Sequence, residues 1–168
     1  MSALFRAGLF AALIVFAAAP SHAAEKSFQD DALDDAAITL EAEVKEEAGA
    51  LAEPLAKLKQ AAAALIKSGD FSSAAKNYVG IVAAAPSDAK AWRQLAELWL
   101  LIPATAEDDG SERAERARTA AYIAYRRAKT AAEESAALAT LADAFARRQE
   151  WREALNALKL ATSLHATP

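Results

Sequence analysis

Two segments of this chain repeat one another at a distance. "SGDFSSAAKNY" (68–78) and "RQEWREALNAL" (148–158) each carry an aromatic residue, an alanine three on and a large apolar residue seven on. The series is Phe71, Ala74, Tyr78 in the first and Trp151, Ala154, Leu158 in the second, an offset of 80 residues. What precedes them aligns too. "LKQAAAAL" supplies Leu58 and Leu65, and "LATLADAF" supplies Leu138, Leu141 and Phe145. Spacings of three and four put such residues on one side of a helix. Both segments therefore predict two helices joined at a short turn, with Gly69 or its counterpart ending the first and Asp70 capping the second. A chain that builds the same unit twice is a candidate for a stacked array, which constrains its fold more than any single residue does.

Composition agrees. Alanine is frequent, whereas glycine and proline number five each in 168 residues. Alanine loses no side-chain entropy in a helix, so helix is favoured throughout. The 54% apolar share is inflated by alanine, which buries little area. A core must then come from closely approaching helices and a few large anchors. The candidates are Trp92, Trp99, Trp151, Tyr78, Tyr122, Tyr125, Phe71 and Phe145.

The 80-residue offset is more than twice the period of about 34 residues found in tetratricopeptide repeats, which leaves room for a middle unit. One such step from the first unit lands on Trp92, and Leu95, Ala96 and Trp99 continue its helix, "AWRQLAELWLL". A polar insertion, Pro103 to Ser111, reads as a loop. The helix "ERAERARTAAYIAYRRAK" follows, with Ala114, Ala117, Ala121 and Ala124 on its close-packing side, and "TAAE" (130–133) is a capping box for the third unit. These residues resemble tetratricopeptide repeats. In that pattern Ala62, Ala74 and Ala96 sit where paired helices meet, and Leu58, Leu65, Tyr78 and Ile81 fill the gap to the next pair. Pro86 ends a helix and Ser87 or Asp88 caps the next. The resemblance predicts an all-α fold of about three tetratricopeptide-like hairpins (55–88, 89–132, 133–168) in a right-handed α-solenoid. An alanine-rich bundle without repeats would have the same helix count.

Ahead of the array, "FQDDALDDAAITLEAEVKEEA" (28–48) predicts one helix with Leu33, Ala37, Leu40, Val44 and Ala48 on a stripe. Ser27 and Asp30 read as its capping box. Asp30, Asp31, Asp34 and Asp35 crowd its start, either as a cation or partner site or, the favoured reading, as a solvated start matched to the helix dipole. Gly49 and Pro54 bound the break that closes this N-terminal segment, 24–54. Residues 1–23 have one cation, Arg6, an apolar run from Ala7 to Ala19, then Pro20 and the small residues Ser21 and Ala23. That is the pattern of a secretory signal peptide cleaved after Ala23, its apolar run being short of the roughly 20 residues that span a bilayer. The expectation is a periplasmic or secreted protein with no stable membrane span after cleavage; an uncleaved anchor is the other reading.

Catalytic chemistry has little to stand on. With no cysteine, thiolate ligands, disulfides and cysteine nucleophiles are excluded. His22 lies in the signal region and His165 near the C-terminus, so they form no site. "AEDDGSE" (106–112) lacks the alternating ligands of a calcium loop and reads as solvated. A net charge of −4 disfavours nucleic acid, and the basic "YRRAK" (125–129) fits the end of a helix, where cations offset the dipole. The sequence predicts neither an enzyme nor a cofactor or metal, and a protein as partner. In the tetratricopeptide pattern the first helix of each pair lines a concave groove. Lys59, Lys67, Lys90, Arg93, Glu97, Asp143 and Arg147 would face it, with Ala63 and Ala139, as a mildly basic strip. Ala63 holds the asparagine position of the carboxylate clamp found in the chaperone-binding subclass, so that clamp is not expected.

The order of segments carries a further resemblance. The signal region, "SFQDDALDDAAITLEAEVKEEAGAL", the "GDFSSAAKNYVGIVAAAPSDAKAWRQLAELWL" repeat, "RTAAYIAYRRAKT" and "LADAFARRQEWREALNALKLATSL" are together similar to the N-terminal helical region of alphaproteobacterial alpha-2-macroglobulin family proteins. Those are envelope protease inhibitors in which this region precedes β-sandwich domains, many with a Cys-x-Glu-Gln thioester. This chain has no thioester motif and reads as a fragment or a shortened member, so no residue inherits the inhibitor chemistry. The resemblance implies a non-catalytic helical scaffold of such an inhibitor. The alternative is an independent periplasmic tetratricopeptide adaptor.

Overall fold

The computed structural model describes residues 30–49, 53–106 and 108–165. Among them are seven helices and no strand. They are α1 (Asp31–Gly49), α2 (Leu55–Ser68), α3 (Phe71–Ala84), α4 (Ala89–Leu101), α5 (Ser111–Arg127), α6 (Ala131–Arg147) and α7 (Trp151–His165). The signal region and Ser27 lie outside the described residues.

Helices neighbouring in sequence pack together from α2 through to α7, and α4 also touches α6. One hydrophobic core runs through all seven, with Trp92, Tyr122, Tyr125, Phe145, Leu95, Leu138 and Leu141 almost wholly enclosed. The alanines expected at close crossings are there: Ala62, Ala74 and Ala96 are fully buried, as are Ala117, Ala121 and Ala124. A methyl group lets two helix backbones approach where a larger side chain would hold them apart.

The two segments that repeat in sequence make the same turn. Gly69 ends α2 in the left-handed conformation, at φ 82°. Its N–H bonds the Ile66 carbonyl and that of Asp70 reaches back to Leu65, at 3.1 and 3.0 Å. At the other turn Gln149 adopts φ 63°. There the Gln149 N–H bonds Ala146 and that of Glu150 bonds Phe145, at 3.0 and 2.9 Å. The pattern is the same, but glycine takes this conformation freely and glutamine does so at a cost. Asp70 then caps α3, its carboxylate accepting from the Ser73 N–H at 3.0 Å.

The other caps follow the sequence with small shifts. Asp88, rather than Ser87, caps α4 by accepting from Ala91 N–H at 3.1 Å. Thr130 caps α6 through Glu133 N–H, and the Glu133 carboxylate accepts from Lys129 N–H rather than from the cap residue itself. Pro86 and Trp92 are joined directly, the indole N–H donating to the Pro86 carbonyl at 2.8 Å. Arg127 donates to the same carbonyl and lies 5.4 Å from the centre of the Trp92 ring. The start of α1 falls later than predicted, because Asp30 supplies the cap by accepting from Ala32 and Leu33 N–H.

α1 lies against α3 and α5, antiparallel to α5. Leu33, Leu40 and Val44 of its predicted stripe are buried, and Ala37 and Ala48 half-buried. Its acids are more than a solvated helix start. Asp34 accepts from the Tyr122 hydroxyl at 2.9 Å and from Arg126 at 3.3 Å. Glu41 meets Arg127 and Glu47 meets Arg116, both at 2.6 Å. Thus the two arginines read as a dipole-matched helix end also hold the N-terminal helix. Half-exposed pairs of this kind contribute about 0–1 kcal/mol each, whereas each buried leucine or valine contributes about 1.5–3 kcal/mol. The stripe therefore supplies most of the affinity of α1 for the helices it lies on, and the pairs add to its register.

One predicted anchor is not in the core. Trp151 is 65% exposed, because among the described helices α7 packs on α6 alone and the tryptophan points away from it. Phe71 and Tyr78 are half-buried, and Trp99 is buried under the Arg116 guanidinium, 4.7 Å from the ring centre.

Candidate partner groove

The caps on α4 and α6 start both helices at the same end of the molecule, and the two run side by side in the same direction. Lys90 stands opposite Glu133, Glu97 opposite Thr140, and Leu100 and Leu101 opposite Asp143 and Arg147. Between them is a furrow open to solvent. Its first part, about 350 Å³, is lined by Ala89, Lys90, Arg93, Thr130, Ala132, Glu133 and Ala136. The second, about 530 Å³, is lined by Arg93, Glu97, Leu100, Leu101, Ala136, Ala139, Thr140, Asp143 and Arg147.

Five of the seven residues expected at a groove are brought together here: Lys90, Arg93, Glu97, Asp143 and Arg147. Lys59 and Lys67 are not. They are exposed on α2, which packs on α3 and does not reach α4. Ala63 is displaced with them, while Ala139 lines the furrow as expected.

The expected basic character is also corrected. Arg93 forms an ion pair with Glu97, and Arg147 with Asp143 at 3.8 Å, each one helical turn apart. Lys90 reaches Glu133 at 4.0 Å. The Glu97 carboxylate accepts a further bond from the Thr140 hydroxyl, at 3.3 Å across the furrow. Three cations thus face three carboxylates, and the walls are close to neutral. The spacing that pairs them was in the sequence, since residues four apart on a helix are neighbours.

Ala136, Leu100 and Leu101, which the sequence did not single out for the groove, join Ala139 in giving the furrow its apolar character. Ala136 and Ala139 form a low floor, and Leu101 is 51% exposed beside it. Behind the α4 wall the Tyr78 hydroxyl donates to Gln94 at 2.6 Å. Burial, and then the charges of Asp88 and Glu97, push the Tyr78 hydroxyl above its ordinary pKa, so it stays protonated as a donor. A furrow with small side chains below and paired charges along its rims can admit a peptide segment or helix through an apolar side chain.

The loop read as solvated is held by its own acids. Asp108 pairs with Arg113 and accepts from Gly110 N–H at 2.8 Å, and Asp109 accepts from Ser111 N–H at 2.9 Å. No group of three metal-binding side chains occurs among the described residues, and none of the described helices is long and apolar enough to cross a membrane. No protein-family profile matches this chain, and comparison with curated proteins and with solved structures gives no match either.

Proposed function

We propose that this chain is a non-catalytic helical-repeat scaffold of the bacterial envelope that docks proteins. In this reading the three helix pairs are tetratricopeptide-like hairpins in a right-handed solenoid, with α1 laid over α3 and α5. The observation that carries it is the α4–α6 furrow. The first helices of successive pairs lie side by side over an alanine floor between paired charges. That arrangement suits a partner's side chain better than a reacting group. The order of segments supports a narrower form of the proposal, the N-terminal part of an alpha-2-macroglobulin-like protease inhibitor exported by the 1–23 signal.

Two experiments test this. A photo-crosslinking residue at Ala139 is expected to capture a defined protein in the intact envelope, and one at Ala63 on α2 to capture none. Equal labelling from both positions would remove the furrow from consideration. The reading frame that encodes the chain is expected to continue into macroglobulin domains. Its failure to do so ends the inhibitor reading and leaves the independent adaptor, which the continuous core through all seven helices favours.

A further inference from the structure

The second helix of each pair is covered on its outer side by the next pair, except the last. α4 lies on α3 and α6 lies on α5, while among the described helices α7 packs on α6 alone. The repeat register sharpens this. At the 80-residue offset, Trp151, Leu155, Leu158 and Thr162 stand where α3 has Phe71, Ala75, Tyr78 and Val82. On α3, Ala75 and Val82 are buried, Phe71 and Tyr78 half-buried, and the Tyr78 hydroxyl reaches Gln94 of α4. On α7, Trp151, Leu155 and Leu158 remain 65%, 52% and 46% exposed. They form one apolar stripe at steps of four and three. Arg152 and Lys159 run along a single edge of it, and neither has a carboxylate within ion-pair distance among the described residues.

We propose that this face of α7 docks an amphipathic helix of a partner protein, laid on it as α4 lies on α3. Its stripe would be apolar, and carboxylates would line the edge that meets Arg152 and Lys159. Three observations select this occupant: the covered counterpart face within the same molecule, the apolar stripe, and the unneutralised basic edge. A second copy of the chain fits less well. A two-fold axis sets the same patch against itself, so antiparallel α7 helices would bring Arg152 and Lys159 against their own counterparts at like charge.

The test uses the isotope-labelled full chain and two helix-stapled peptides. One has the sequence of residues 87–102, the segment that covers α3. The other carries Ile102→Glu within that sequence, because Ile102 lines one cavity with Ser72 and Val79, the α3 counterparts of Arg152 and Lys159. Chemical shifts are expected to move at the Trp151 indole and along α7, not along the α4–α6 furrow. The acidic peptide should bind about tenfold tighter or more, ~1.4 kcal/mol. Leu158→Glu in the labelled chain should weaken it by a similar factor without loss of helical circular dichroism. Shifts confined to the furrow, no shifts at millimolar peptide, or equal affinity for the two peptides would overturn the proposal. So would a concentration-dependent dimer in sedimentation equilibrium that Leu155→Glu dissolves, since the occupant would then be a second copy. The furrow proposal is untouched by these outcomes, because its crosslinking position lies on α6.

Discussion

The hairpins α2–α3 and α6–α7 share a turn, a register and a crossing alanine, yet they have opposite surroundings. α3 is enclosed by α2, α4 and α1, whereas α7, among the described helices, rests on α6 alone. A repeated sequence therefore produces a repeated local structure without producing repeated burial. Burial depends on what lies on the far side, and that is decided by elements outside the unit.

The largest test of this contrast is the pair of tryptophans. Trp92→Ala removes a fully enclosed ring and the indole bond to Pro86, so urea unfolding should show a loss of about 3–5 kcal/mol. Trp151→Ala should fall within about 0.5 kcal/mol of the unaltered protein, the range of exposed positions. Similar losses at both would mean that α7 is covered in solution. The crossing alanines come next. Ala74→Leu should cost about 1–3 kcal/mol by overpacking α3 between its neighbours. Ala154→Leu should cost less, because α7 can shift outward into solvent. If the two cost the same, α7 is as confined as α3.

A smaller effect separates the turns. Gln149→Gly should stabilise by about 0.5–1 kcal/mol, since it relieves a side chain from the left-handed conformation that Gly69 adopts without strain. Gly69→Ala should destabilise, although a methyl group there meets nothing within 4 Å. A neutral Gln149→Gly would show that the turn relaxes in solution.

The smallest is a pH effect. The Ser73 backbone N–H first, and then its hydroxyl, hold the Asp70 carboxyl below its ordinary pKa. Its contribution is complete above the unfolded value, about 3.9, and is lost as pH falls through the lower folded value. Asp70→Asn should therefore flatten the fall in urea midpoint between about pH 4 and pH 2. An unchanged slope would assign that acid sensitivity to other carboxylates.

Much of the fold was legible because it is local. Helix periodicity, Gly69, Asp70, Asp88 and Thr130 act through neighbours in sequence, and the structure keeps each of them. The furrow was legible in part. Lys90, Arg93, Glu97, Asp143 and Arg147, named from the repeat register, all line it. The register failed for Lys59 and Lys67 because it assumed that α2 stacks on α4 as α4 does on α6. The charge of the furrow was misjudged because residues were counted singly, whereas Arg93 and Glu97, and Asp143 and Arg147, neutralise each other within one turn.

By itself the sequence determined three short-range matters: where helices start, where they stop and which stripe of each is apolar. Tertiary structure alone decided which stripes are covered. It set Asp34, Glu41 and Glu47 of α1 against the arginines of α5, up to 92 residues away in the chain. It also left the α7 stripe exposed although its pattern matches the covered one on α3. The reason is physical. Hydrogen bonds and backbone conformation are settled within four residues, but burial of an apolar surface needs a second surface, and no spacing in the first records whether one is present.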